Sequence, residues 1–134
     1  MITGIHHINF LVRELQPAVE RYRALLDFDE VEFEDLPARG VKTARFKLGE
    51  TWIVLVQPVD PEGIPARILE ERGEGFFLIS YAADDLNEAT DNAGRASVRM
   101  ADREPREGLS GWKVMDLEKE DLFGVESQFT QSQD

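Results

Sequence analysis

The chain of 134 residues contains no cysteine and only two histidines. Without cysteine there can be no disulfide framework, no thiolate nucleophile and no sulfur ligand for a metal. Any metal chemistry would have to rest on imidazole, carboxylate and amide groups. The imidazoles available for it are those of His6 and His7.

Basic residues are scarce: 15 Lys and Arg stand against 27 Asp and Glu, which gives a net charge of −12. Nucleic-acid binding needs a basic surface that neutralises phosphates, so this composition argues against a nucleic-acid partner. An anionic membrane surface is disfavoured for the same electrostatic reason. An anionic ligand would need a locally placed Arg or Lys.

Long hydrophobic runs are also absent. The apolar stretch Trp52 to Val56 is far too short to cross a bilayer. The start Met-Ile-Thr-Gly has neither the basic flank nor the apolar core of a signal peptide. We therefore expect a cytoplasmic protein with one hydrophobic core, for which this length is sufficient.

What the chain does contain is an internal repeat. Residues 4–18 align without a gap on residues 75–89, so that Gly4 matches Gly75 and Ile8 matches Ile79. His7 falls on Leu78. Such a repeat predicts two structural half-units that pair around a shared concavity.

Hydrophobic periodicity predicts the same order of elements in both halves. The first half has a strand, a helix and three strands at residues 5–12, 15–26, 29–34, 41–48 and 51–57. The second half has the same order at residues 76–82, 86–93, 97–101, 112–117 and 124–131, with a loop at 103–111. We predict a single domain, residues 1–134, made of module one (1–58), a linker with a short helix (59–74) and module two (75–134).

Several motifs carry a family resemblance. They are Gly4 to Val12, Pro37-Ala-Arg-Gly-Val41, Leu48 to Ile53, the linker Ile64 to Gly75 with its Gly-Glu-Gly end, and Gly124-Val125. With them the chain resembles the vicinal oxygen chelate (glyoxalase I/bleomycin-resistance) superfamily, most closely methylmalonyl-CoA epimerase. The resemblance implies an α+β fold in which two tandem βαβββ modules form a cup-shaped, incompletely closed mixed β-barrel. It also implies a homodimer.

The resemblance further implies four metal-ligand positions, one on each of four strands. They fall on His7, Val54, Leu78 and Gln128. Two of these side chains are aliphatic. One imidazole and one amide alone would bind a divalent ion weakly, because protein metal sites use three or four donor groups. We therefore expect no resident cofactor, while a metal bound weakly by His7 and Gln128 stays open. The family's catalytic carboxylate, which the resemblance places near Gly40-Val41, has no counterpart in Ala38 or Arg39.

Strand alternation predicts which side chains line the cavity. In the first strand His7 and Asn9 point inward, whereas His6 is assigned to the outer face without a special role. The other side chains expected to point inward or to line the cavity are Arg45, Trp52, Val54, Phe76, Leu78, Ser80, Asp116, Glu126 and Gln128.

Two functions from different classes are compatible with these residues. In the first, His7, Asp116, Glu126 and Gln128 carry acid–base chemistry without a metal. The substrate would be a small, fairly apolar oxygenated metabolite or an acyl-CoA, bound by Asn9, Arg45, Trp52, Val54, Phe76, Leu78 and Ser80, and the enzyme would be an isomerase or a lyase. In the alternative, the cavity binds or sequesters a small molecule without chemistry, as bleomycin-resistance proteins do.

Overall fold

The computed structural model describes residues 1–133, which contain eight β-strands and three α-helices. Short 3-10 turns lie at Pro37–Arg39, Leu109–Gly111 and Lys119–Leu122. The strands and helices are β1 (Ile2–Leu11), α1 (Leu15–Leu26), β2 (Glu32–Leu36), β3 (Val41–Leu48), β4 (Thr51–Pro58), α2 (Ile64–Arg72), β5 (Gly75–Ala83), α3 (Leu86–Arg95), β6 (Arg106–Glu107), β7 (Lys113–Asp116) and β8 (Ser127–Gln131).

The strands form a mixed sheet. Hydrogen bonds join them in the order β2-β3-β4-β1-β5-β8-β7-β6. β5 and β8 run parallel, whereas β2 and β3, β3 and β4, β6 and β7, and β7 and β8 are antiparallel pairs. This combination of a mixed sheet with helices confirms the predicted α+β class. None of the helices within residues 1–133 is both long and apolar enough to cross a membrane.

The chain divides into two compact units. The N-terminal unit is Ile8–Phe77, and the C-terminal unit combines Met1–His7 with the chain from Leu78 onward. β1 and β5 each contribute residues to both units. Within the C-terminal unit the Met1 ammonium group lies 2.7 Å from Asp84 and 2.6 Å from Glu88.

In the C-terminal unit, α3 covers one face of the strands. The helix begins at a side-chain cap, since Asp85 accepts hydrogen bonds from the backbone N–H groups of Asn87 and Glu88. The apolar core beneath the helix consists of Ala83, Leu86, Ala89, Ala93, Met115, Leu117 and Phe129. Alternation therefore turns Asp116 and Gln128, the sequence neighbours of core residues, to the other face.

In the N-terminal unit, α1 packs on β3 and β4. Val19, Ala44, Phe46, Ile53 and Leu55 form the buried centre of this core, each at most 9% exposed. The alternate residues of the two strands lie opposite each other in register, Thr43 facing Val56 and Arg45 facing Val54. Arg45 is buried and alternates along β3 with the core residues Ala44 and Phe46.

Some predicted elements differ from the structure, among them the strand predicted at 29–34, which is β2 at Glu32–Leu36. Residues 97–101 do not form a strand but a single bridge between Met100 and Leu117, in a segment where Ser97 has a φ of 63°. The predicted loop at 103–111 contains β6, a strand of two residues that pairs with β7. β8 begins at Ser127, so Glu126 lies just before the strand instead of within it.

Candidate functional site

The candidate site lies in the C-terminal unit around two adjacent histidines. His6 and His7 are both buried, and their Nδ1 atoms are 2.8 Å apart. The His7 ring stacks on the Trp112 indole with a centroid distance of 5.0 Å, and the His6 ring meets the same indole edge-on at 4.5 Å. Trp112 thus packs against both imidazoles.

His6 makes contacts that its assignment to the outer face did not predict. Its ring is buried between His7 and Trp112, and its Nε2 lies 2.9 Å from the Ser132 hydroxyl. Alternation along one strand gives only the face of the sheet to which the Cα–Cβ bond points. It does not foresee that an indole from the segment before β7 contacts both rings of a histidine pair.

Burial dominates the electrostatics of His7. Loss of solvation, together with the neighbouring His6, lowers the pKa of His7 to about 3, although a hydrogen bond to Gln128 acts in the opposite direction. The ring is therefore neutral near pH 7. At that pH it can donate one hydrogen bond and accept another, but it is not an imidazolium that could act as a general acid.

Asp116 and Gln128 occupy opposing register positions on β7 and β8. Gln128 Nε2 donates a hydrogen bond to Asp116 Oδ1 at 3.0 Å. On the other side of the carboxylate, Arg106 Nη2 lies 3.0 Å from Asp116 Oδ2. Arg106 also pairs with Asp102, which in turn accepts the Asp116 backbone N–H at 2.8 Å. Both carboxylate oxygens of Asp116 are thus held by donors, while 31% of its side chain stays exposed.

Ser80, one of the predicted substrate-binding residues, lies beside this group. Its hydroxyl is 2.5 Å from that of Thr130, and Thr130 donates to Gln128 Oε1 at 3.5 Å. Ser80 is completely buried. Its contacts therefore serve Gln128, the residue that connects His7 to Asp116. We call His6, His7, Trp112, Gln128, Asp116 and Arg106 the His7 network.

Glu126 makes different contacts from those expected. Its carboxylate pairs with Lys119 Nζ at 3.3 Å, and its backbone carbonyl accepts the N–H of Ile79. The position before β8 turns the side chain towards the 3-10 turn that carries Lys119. A catalytic role for Glu126 stays a prediction.

The predicted anion-binding residue, Arg45, belongs to the N-terminal unit. It is 4% exposed, and its guanidinium lies 2.6 Å from Glu32 and 2.8 Å from Glu34. The same group lies 5.4 Å from the centre of the Trp52 ring. Its charge is therefore already compensated by two carboxylates. A cleft of about 370 Å³ opens here, lined by Phe28, Asp29, Glu30, Glu32, Arg45, Lys47 and Trp52.

The other predicted contact residues are placed as follows. In the N-terminal unit, Val54 is fully buried and Phe76 is 46% exposed. The Asn9 side-chain oxygen is buried there without a hydrogen-bond partner among residues 1–133. In the C-terminal unit, Leu78 is half-buried. Roles of these residues in substrate binding stay predictions.

Sequence reasoning missed Asp102 and Arg106 because the stretch that carries them reads as a loop. Trp112 was not among the predicted site residues either. The only sequence feature that could have indicated β6 is the Arg106-Glu107 pair before Gly108, and two residues are too few to predict a strand. The basic partner of Asp116 emerges only from the pairing of β6 with β7, in which Arg106 opposes Val114.

The residues at the positions implied for a metal do not fit a divalent ion. Within residues 1–133 no three His, Asp or Glu side chains form a group that could hold one. The single lone pair of a neutral His7 competes with its contact to His6, and Gln128 is engaged by Asp116 and Thr130. Val54 and Leu78 offer no donor atom.

A family model and several proteins of known sequence are similar to this chain over most of its length. The family model of the Glyoxalase/Bleomycin resistance protein/Dioxygenase superfamily matches residues 6–115. The Bacillus subtilis protein YqjC is 25% identical over 121 residues, which cover 90% of this chain and 86% of that protein. Human mitochondrial methylmalonyl-CoA epimerase is 26% identical over 122 residues, covering 90% and 69% of the two chains.

Solved structures agree with these sequence relatives. A variant of Streptomyces coelicolor methylmalonyl-CoA epimerase in complex with 2-nitronate-propionyl-CoA superposes with a TM-score of 0.93 at 26% identity, with full coverage of both chains. The predicted glyoxalase-like fold is thereby confirmed. The chain belongs to the Glyoxalase/Bleomycin resistance protein/Dioxygenase superfamily.

Proposed function

We propose that the protein is an epimerase-like isomerase that moves a proton at the carbon next to a carbonyl. Its substrate would be an acyl-CoA or another small, fairly apolar oxygenated metabolite, and the reaction would have little or no metal dependence. Support comes from the epimerases among its relatives and from the acyl-CoA analogue bound by the Streptomyces coelicolor structure. Fold alone does not define chemistry, so the residues of the site must carry the proposal.

The observation that carries it is the carboxylate of Asp116. Arg106 and Gln128 hold its two oxygens in place, and part of the side chain remains exposed to a ligand. In the proposed step Asp116 takes the proton as the C–H bond breaks, and the electron pair moves to the carbonyl oxygen as an enolate. A water molecule on the other face of the planar carbon then gives a proton to that carbon, and the hydroxide that remains takes the proton from Asp116, which restores the carboxylate and completes the epimerisation.

His7 and Arg106 have supporting roles in this step. His7 is neutral near pH 7, because burial lowers its pKa to about 3, so it takes part as a hydrogen-bonding group. Arg106 and Gln128 keep the carboxylate oriented, which is the contribution that positioned groups make to proton transfer. The chemistry is then carried by protein groups and water.

Proton transfer through Asp116 predicts exchange with solvent. We would incubate the protein in D2O with a panel of 2-methyl-branched acyl-CoAs, methylmalonyl-CoA included, and measure deuterium incorporation by mass spectrometry. We expect exchange that persists in EDTA. Asp116→Asn should lower its rate by about 10²-fold or more, as loss of a general base does.

A matched control is Asp121→Asn, which alters another ion-paired aspartate of the same unit, bound to Arg99 at 3.0 Å. It should leave the exchange rate unchanged. Exchange that stops in EDTA and returns with added metal would contradict the proposal, as would equal rates in wild type and Asp116→Asn.

One observation favours a second candidate function. His7, the residue at the family's first ligand position, is neutral and packed against Trp112, which suits passive binding better than proton shuttling. In that case the protein sequesters a small molecule. A ligand of the same panel would then raise the thermal unfolding midpoint without any deuterium exchange. A cytoplasmic location and a homodimeric state stay predictions.

A further inference from the structure

We propose that Asp102 is a positioning residue for Asp116, the carboxylate that takes the proton in the proposed reaction. Asp102 accepts the backbone N–H of Asp116, and it also holds the guanidinium of Arg106, which pairs with the Asp116 side chain. It therefore fixes the backbone and the carboxylate of Asp116 together. The value of Asp102 to catalysis rests on the proposed function, whereas its hold on Asp116 does not.

The chemical types of the groups fix the direction of each contact. An ionised carboxylate only accepts hydrogen bonds, whereas a backbone N–H and a guanidinium only donate them. The Asp116 N–H donates to Asp102 Oδ2 at 2.8 Å, and Arg106 Nη1 donates to the same oxygen. Arg106 Nη2 lies 3.0 Å from Asp116 Oδ2. The three residues thus form a closed ring of contacts, which we call the Asp102 ring.

The backbone contact follows from the shortness of β6. β6 pairs with β7 at Lys113 and Val114, whereas Asp116 is the last residue of β7. Backbone groups two residues apart on a strand point to the same edge, so the N–H and C=O of Asp116 point past the end of β6. There the Ala101 N–H donates to the Asp116 carbonyl at 2.8 Å, and the Asp102 carboxylate accepts the Asp116 N–H. Asp102 thus supplies the acceptor that a longer β6 would supply.

The contact with Arg106 has a different consequence. An arginine side chain has many rotamers, and the groups that hold it must offset the lost conformational entropy. The guanidinium is planar, so a carboxylate bound at Nη1 also sets the direction of Nη2. Asp102 binds Nη1, and Nη2 faces Asp116. Without the Asp102 carboxylate, the Arg106 side chain would be freer to turn away from Asp116.

The Asp102 ring holds Asp116 without covering it. The side chains of Arg106 and Asp116 stay 30% and 31% exposed. A substitution of Asp102 therefore changes the placement of the base but leaves its chemical group intact. Proton transfer is sensitive to such placement, because reacting groups displaced by about 1 Å lose much of their rate. We therefore expect Asp102 to affect the rate of proton transfer more than the binding of substrate.

The same unit contains a matched control. Asp121 likewise accepts a backbone N–H and a guanidinium, but both belong to Arg99. Within residues 1–133 this ion pair makes no hydrogen bond or ion pair with a member of the Asp102 ring. Asp121→Asn therefore removes a carboxylate with the same kinds of contact and leaves the contacts of Asp116 unchanged.

Hydrogen exchange of the backbone tests the first contact without any substrate. Asp102→Ala removes the acceptor of the Asp116 N–H, and we expect exchange of this amide to become about tenfold faster or more, as loss of a hydrogen bond predicts. Amides of β8 should keep their wild-type rates, which would show that the variant is folded. An unchanged rate at Asp116 would overturn the proposal.

The contact with Arg106 has its own spectroscopic signature. A guanidinium held at both Nη atoms rotates slowly, so these atoms give separate ¹⁵N resonances in arginine-labelled protein. We expect separate resonances for Arg106 in the wild type and in Asp121→Asn. Asp102→Asn keeps an oxygen for the backbone N–H but loses the charge-assisted bond, so the resonances should merge. Separate resonances in Asp102→Asn would contradict the role, and this variant decides the matter if Asp102→Ala does not fold.

Deuterium exchange with the acyl-CoA panel tests the consequence for catalysis. Asp102→Ala should lower kcat for exchange by about tenfold to a hundredfold and change KM by less than about twofold. Asp102→Asn should lie between that variant and the wild type, and Asp121→Asn should match the wild type. A change confined to KM, or equal losses in the Asp102 and Asp121 variants, would refute the positioning role.

The positioning role and the proposed function can fail separately. If the wild type exchanges no deuterium with any member of the panel, the proposed function fails, and the amide and guanidinium measurements still decide whether Asp102 holds Asp116. If the wild type exchanges and Asp102→Ala exchanges equally fast, the function stands and the positioning role fails.

Discussion

At the scale of single residues, burial of the His7 ring has the clearest electrostatic consequence, which is a lowered pKa. His7 is 4% exposed and in contact with a second histidine, so its protonation is unfavourable in the folded state. The same ring at the same position would suit a metal ligand if its lone pair were available. In this chain the Nδ1 atom of His7 faces that of His6 instead.

The low pKa of His7 predicts a pH-dependent stability. Its folded pKa of about 3 lies below the unfolded value of 6.5, so the unfolded chain binds more protons between these values. Stability is complete above the unfolded pKa and falls as the pH drops towards 3. Between pH 7 and pH 5 the loss due to His7 should be about 2 kcal/mol. Urea unfolding at both pH values measures it.

His7→Phe is the control for that experiment, because it keeps an aromatic ring on Trp112 and does not titrate. The free energy of unfolding of this variant should fall less between pH 7 and pH 5 than that of the wild type. The same dependence in both proteins would show that His7 is not the group responsible.

At the scale of elements, turns decide how the strands of the N-terminal unit connect. Gly40 ends the 3-10 turn before β3 with a φ of 67°, and its carbonyl accepts hydrogen bonds from Val59 and Asp60. A Cβ atom at Gly40 would lie 2.5 Å from the Asp60 Cβ. This glycine is required both by backbone conformation and by close approach of another segment.

Replacing this glycine should therefore cost more than the backbone strain alone. Gly49→Ala, at a φ of 60° with no heavy atom within 4 Å of the new Cβ, should lower the free energy of unfolding by about 1–2 kcal/mol. Gly40→Ala carries the same strain plus the contact with Asp60, and we expect a larger loss. Chemical denaturation of the two variants compares them, and an equal loss would refute the packing contribution.

At the scale of the whole molecule, the chain keeps the family fold while its donor groups are used for other contacts. The His7 ring contacts His6, and Gln128 donates a hydrogen bond to Asp116. The other two implied ligand positions hold Val54 and Leu78. The purified protein should therefore contain well below one divalent ion per chain by elemental analysis. EDTA should leave its thermal midpoint unchanged, because chelation lowers the stability only of a protein whose folded state binds the ion. A stoichiometric metal whose removal lowers the midpoint would contradict this expectation.

Local pattern was a good guide to faces but a poor one to partners. Alternation placed Asp116 and Gln128 together on the face opposite α3, where they lie in register. It did not predict the contacts of His6, because they come from Trp112 and Ser132, more than a hundred positions away. Periodicity contains no information on which distant segment will cover a side chain.

The sequence by itself determined the element order, the family fold and the absence of two of the four implied metal ligands. These properties follow from short-range periodicity and from residue identity at positions matched by motif. Only the tertiary structure decided that His6 joins His7, that Arg106 holds Asp116, and that Glu126 pairs with Lys119. Such contacts depend on strand pairing and burial, which bring together groups that are remote along the chain.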